Sequence, residues 1–205
     1  MNEDTNAQLL EPLREVATMA AGHSATALSK LIGQDVTVAV PSVGLTAVEK
    51  ISATVGPAAQ RTAVGLVKIT GDADGFILFS LDPHDAQVVA EGAVQQQTGS
   101  TIPNAVAMVL PEMVNILGGA ILSALASFLH MQLLQSVPAS TIDMIGATLD
   151  PLMAELGQTF QDVLMIQETY SMSAQGTSLK MIIILDPPST TTMMHTLAGK
   201  LNANH

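Results

Sequence analysis

Glu112 and Asn115 stand three residues apart and have the types and spacing to act together on a group held by another molecule. On a helix, positions i and i+3 share a face. The carboxylate can pair with a lysine or arginine. The carboxamide offers an acceptor and a donor, enough to hold a water molecule in line with an electrophile. Neither group is a strong nucleophile, so no covalent intermediate is expected on this chain. Glu15 and Thr18 repeat the spacing 97 residues earlier, from 15 to 112. Thr18 carries a short β-branched hydroxyl, which cannot present an acceptor and an amide donor together. Catalysis is therefore expected at Glu112 and Asn115, and Glu15 with Thr18 forms a degenerate second face that binds without catalysing. Gly22 follows the first pair and Gly119 the second, each completing an i, i+3, i+7 stripe, with Gly118 beside the latter. Backbone left bare by these glycines would let a partner approach closely.

A pair this short recurs by chance in many proteins. Its duplication is what gives it weight. In both copies 22 residues separate the last polar position from a proline, Pro41 or Pro138. The intervening elements must then repeat as well. Apolar residues at steps of three and four predict a helix over 7–32, ended by Gly33. A strand over 36–40 stops at Pro41. Strands over 63–70 and 75–81 flank the turn Gly71-Asp-Ala-Asp74, and Asp82-Pro83 opens a helix through 92. In the second half a helix over 104–131 leads to a strand over 131–137. Strands over 163–172 and 179–185 are separated by 173–177, and Asp186-Pro187 opens a terminal helix. The segment 142–157 reads as mostly helical, whereas 43–55 reads as extended, so the halves are expected to differ there.

Composition narrows the functions available. With 205 residues and 48% apolar content, the chain can bury a sizeable core. The absence of cysteine removes disulfides, thiolate catalysis and Cys-type metal sites. Eighteen acidic against seven basic residues give a net charge of -11, which repels nucleic acid and anionic lipid. Aromatics at 2% leave no base-stacking platform. Partners are expected to be proteins, with neither nucleic acid binding nor membrane insertion. Asn104, Pro111, Glu112 and Asn115 break the longest apolar runs, as in helices buried on one side. The acidic, polar start is unlike a secretory signal. His23, His84, His130, His195 and His205 lack the spacing of zinc sites. Asp143 and Glu155 have no defined mutual geometry and are expected to be solvated. Met144, Met153 and Met165 are expected to fill the core in place of aromatics.

With these residues in place, the chain resembles the CheC-type chemotaxis phosphatases, whose relatives include CheX and the flagellar switch protein FliY. The family signature is Asp or Ser, three residues, Glu, two residues, Asn, 22 residues, Pro. Here it occurs as Glu112-x-x-Asn115-x22-Pro138, complete from the Glu onward. The first copy reads Glu15-x-x-Thr18-x22-Pro41 and runs into Ala21-Gly-His-Ser-Ala-Thr-Ala-Leu-Ser29, similar to the family's AGxxATALS helix. The leading Asp/Ser position is Glu11 in one copy and Met108 in the other, a departure from the pattern.

The resemblance implies a single compact α/β domain built from two pseudo-symmetric helix-strand repeats, about 7–98 and 104–200. It implies hydrolysis of the aspartyl phosphate of a CheY-like receiver, with Glu112 gripping the receiver's lysine and Asn115 orienting the attacking water. The receiver would bring its own Mg2+, so no cofactor or metal is expected on this chain. A CheD-like protein is a second implied partner, and the setting is cytoplasmic. A catalytically weak adaptor that binds the receiver or CheD, and a structural component of a motility switch, are the alternative readings.

Overall fold

The computed structural model describes residues 3–99, 102, 104–172 and 176–203. Helical spacing of Leu13, Val16, Ala17, Ala20, Leu28 and Leu31 gives the first helix one apolar face, and all six side chains are buried. This helix, α1, spans Glu3–Ile32. Gly33 ends it in the left-handed region at φ 68°, with its N–H donating to the Ser29 carbonyl at 2.9 Å. Then follow β1 (Val36–Val38), β2 (Ser42–Ala47), α2 (Val48–Val55), β3 (Arg61–Gly71), β4 (Gly75–Leu81) and α3 (Pro83–Thr98). The second half runs α4 (Ala105–Leu129), β5 (Leu133–Gln135), β6 (Ala139–Met144), α5 (Ile145–Thr159), β7 (Asp162–Met172), β8 (Thr177–Leu185) and α6 (Pro187–Ala203). Of the turn expected over 173–177, residues 173–175 lie outside the described residues, as does His205.

The halves match more completely than local patterning suggests. The stretch 43–55 is not extended throughout, because β2 gives way to α2, just as β6 gives way to α5. Residues 142–144 belong to β6 and not to the helix expected from 142. Val48, Ile51 and Val55 form the buried face of α2, but its eight residues are too few to reveal the period. A shared hydrogen bond marks the equivalence. The N–H that opens α2 donates to the carbonyl ahead of β7, Val48 to Gln161 at 2.9 Å. That of α5 donates to the carbonyl ahead of β3, Ile145 to Gln60 at 3.0 Å.

Among the described residues, eight strands join one sheet with the path β1-β7-β8-β4-β3-β5, in which β2 also pairs with β7 and β6 with β3. Every pairing is antiparallel. Each half therefore lays its first two strands on the third long strand of the other. The halves meet at β4 and β8, where Leu78 opposes Ile182, Gly75 opposes Leu185 and Leu81 opposes Leu179. This register carries each residue onto the counterpart of its mirror position, so a pseudo-two-fold axis passes between Leu78 and Ile182. Pro41 and Pro138 sit at the breaks between β1 and β2 and between β5 and β6, where no ladder N–H is required.

One face of the sheet is covered by α1, α3, α4 and α6, with α1 and α4 packed side by side. The other face is covered by α2 and α5 over Val64, Leu78, Val163, Ile182 and Ile184. Met113, Met153, Met181, Met193 and Met194 fill space in these layers, and Met165 is half-buried. Met144 departs from its expected core role. It is 46% exposed because it closes β6, which lies on the sheet's margin. By length and composition α4 is apolar enough to cross a membrane, but in this fold its apolar face is packed against the sheet and α1.

Candidate functional site

The site is assembled on α4, whose inward residues Met113, Val114 and Leu117 are buried and whose outward residues Glu112 and Asn115 are exposed. Gly65 of β3 sets how closely the helix can lie. A β-carbon there would overlap Val114 Cγ2, so the helix rests on bare backbone. Beside α4 runs β5, and the corner after it is tied to β3 twice. Ser136 N–H donates to the Lys68 carbonyl at 2.9 Å, and Lys68 N–H donates to Ser136 Oγ at 3.0 Å.

These supports bring a third polar side chain to the pair. Gln135 Nε2 donates to Asn115 Oδ1 at 2.8 Å and to the Asn115 backbone carbonyl at 3.1 Å. Sequence spacing does not single out Gln135, and the one sequence signal for it is its place in the repeat, where the first copy has Val38. Gly118 makes room for it. A β-carbon at 118 would lie 2.7 Å from Gln135 Oε1. Gly118 is accordingly buried and unavailable to a partner, and Gly119 is half-buried, whereas Gly22 is exposed with open space around it.

Glu112 and Asn115 border a shallow, open depression of about 500 Å³, lined also by Met108, Pro111, Gln135 and Ser136 to Pro138. Met108 is 60% and Val137 89% exposed, so the polar pair is rimmed by apolar groups suited to another protein's surface. Among the described residues Glu112 has neither an ion-pair nor a side-chain hydrogen-bond partner, which leaves its carboxylate free for an incoming cation. The depression is too open to exclude water by itself. A second macromolecule seated on the apolar rim would close it.

The first face is built differently. Glu15 and Thr18 are both exposed on α1, but Thr18 Oγ1 donates to the Arg14 carbonyl of its own helix at 2.8 Å. Glu11 is engaged by Arg14 at 2.7 Å. Ala21 stands where the second face has Gly118 and Val38 where it has Gln135. No three His, Asp or Glu side chains come together as a metal site among the described residues. Among the described residues the strongly perturbed carboxyl is that of Glu168, buried on β7 beside Tyr170 and away from the depression.

No family model matches the chain. Over 184 residues it is 27% identical to the CheY-P phosphatase CheC of Bacillus subtilis (strain 168), with 87% of each chain covered. Its fold is similar to that of FliY from Thermotoga maritima, at a TM-score of 0.70 and 17% identity, with 98% of each chain covered. It is also similar to a chain of the CheX–CheY–BeF3–Mg2+ complex from Borrelia burgdorferi, at a TM-score of 0.53 and 14% identity, covering 86% of this chain and 96% of that one. The likeness read from the signature thus extends along the chain in both sequence and fold, and the fold is CheC-like.

Proposed function

We propose that this CheC-like chain dephosphorylates a CheY-like response-regulator receiver through Glu112 and Asn115. The carrying observation is the exposed pair on α4, one member a free carboxylate and the other a pinned carboxamide, over a depression that only a partner can close. The similarity to a CheY-P phosphatase, and the fold shared with a protein caught in complex with CheY, support that partner. In this reading Glu112 pairs with a lysine of the receiver. Asn115 enters the receiver's site and holds a water in line with the phosphorus. Attack by that water breaks the bond to the aspartyl oxygen, releasing inorganic phosphate and restoring the carboxylate. Mg2+ would be held by the receiver, where it would offset charge on the transferring group. The setting that follows is cytoplasmic.

The test is incubation with phosphorylated CheY-like receivers while phosphate release is followed. Asn115→Ala is expected to keep receiver binding and lose roughly a hundredfold in turnover, the scale of about 3 kcal/mol of transition-state stabilisation. Glu112→Ala is expected to weaken binding to a receiver locked in its phosphorylated-like state. Added salt should weaken binding by the parent in the same way, because partly exposed charges are screened. Unchanged turnover by Asn115→Ala would overturn the water-positioning role. Binding without phosphate release would favour an adaptor.

A further inference from the structure

We infer that Gln135 is a positioning residue for Asn115, fixing which end of its carboxamide meets the reaction; this rests on the phosphatase reading above. The orientation follows from a neighbour that cannot rotate. The Asn115 backbone carbonyl only accepts hydrogen bonds, so the Gln135 group 3.1 Å from it is the amide nitrogen. That nitrogen has a second hydrogen to give, and it lies 2.8 Å from the Asn115 side chain. The Asn115 atom facing it is therefore the oxygen, since two amide nitrogens at that distance would repel. A freely turning surface amide is thereby held in one of its two orientations before any partner arrives.

The consequence is chemical. Gln135 occupies one lone pair of Asn115 Oδ1 and leaves the other free to accept a hydrogen bond from the attacking water. Asn115 Nδ2 takes no part in this bond and can donate to an oxygen of the substrate. Holding the amide ready lowers the entropy lost on reaching the transition state, so its effect falls on turnover and not on docking. Gln135 is itself confined, because its Oε1 is buried against Gly118 with no hydrogen-bond partner among the described residues. A polar atom left unpaired costs stability, and here it accompanies a rigid site.

Gln135→Ala should lower kcat about tenfold, in keeping with the loss of one neutral hydrogen bond, while KM for the phosphorylated receiver changes less than about twofold. In an Asn115→Ala background the same substitution should change kcat by less than about twofold, because the two residues act as a unit. Gln135→Glu supplies a readout that a packing role would not move. As a carboxylate it can only accept, so turnover should fall relative to the parent at neutral pH. It should return toward the parent at acidic pH, where the protonated acid again donates. Independent of turnover, the Asn115 side-chain amide signals in a nitrogen-15 spectrum should shift in Gln135→Ala, with circular dichroism reporting that the fold is kept.

If Asn115→Ala is impaired while Gln135→Ala keeps parental kcat, the positioning role is overturned and the phosphatase reading stands. If Asn115→Ala keeps parental turnover, it is the phosphatase reading that fails. Unmoved Asn115 amide signals in Gln135→Ala would overturn the hydrogen bond itself.

Discussion

Glu168 is 1% exposed, and among the described residues only one of its two carboxylate oxygens has a partner, the Tyr170 hydroxyl that donates to Oε2. Burial pushes its carboxyl up to about 7 although the tyrosine bond pulls the other way. Tyr170 is pushed up too, first by burial and then by the neighbouring carboxylate. The folded protein thus keeps a proton that the unfolded chain gives up near 4.5. Stability should therefore decline as pH rises from that value through about 7 and level off above it, by up to about 3 kcal/mol in total. Glu168→Gln keeps an acceptor for Tyr170 and removes the titration. Urea midpoints of the parent should fall between about pH 5 and pH 8, and those of the variant should fall distinctly less.

At the scale of elements, the site depends on the distance between α4 and the sheet. Gly65→Ala would force α4 away from β3 at Val114, with an expected loss of about 1–3 kcal/mol in urea unfolding, typical of overpacking. Turnover should fall as well, because β5 stays tied to β3 while Asn115 moves from Gln135. The first face should respond to substitution only as a set. Thr18→Asn alone creates an amide with nothing to hold it and should add no activity in an Asn115→Ala background. Together with Val38→Gln and Ala21→Gly it should regain measurable phosphate release, provided Glu15 admits a receiver; release by the single variant would show that holding is dispensable.

The same contrast separates what local sequence reveals from what it hides. Gly33, the Gly71 to Asp74 turn and Asp82-Pro83 each carry their own backbone chemistry, and the structure puts a helix end, a hairpin and a helix start at those positions. Glu112 and Asn115 were legible because one helix places both. Gln135 lies 20 residues from Asn115, and only the packing of β5 along α4 joins them. No helical or strand period encodes that contact. Sequence hides the role of Gly118 for the same reason, since an open glycine and one whose space is filled by a neighbour's side chain look alike in it. The α2 helix was hidden by brevity, and β6 by an exposed face that leaves no apolar alternation.

Considered whole, the molecule is two interlocked halves joined at Leu78 and Ile182. Residues 3–99 alone would leave β1 and β2 without β7, and the second half would leave β5 and β6 without β3. Neither half should show a cooperative thermal transition by itself, and mixing the two should restore one; an independently folded half would contradict the interlock. This exchange of strands makes each face dependent on the other half's backbone. The first copy supplies β3, the rail on which β5, the Ser136 corner and Gly65 depend, so the second face cannot be assembled without it, whatever side chain stands at position 18. A change confined to the exposed side chains of α1 leaves that rail intact.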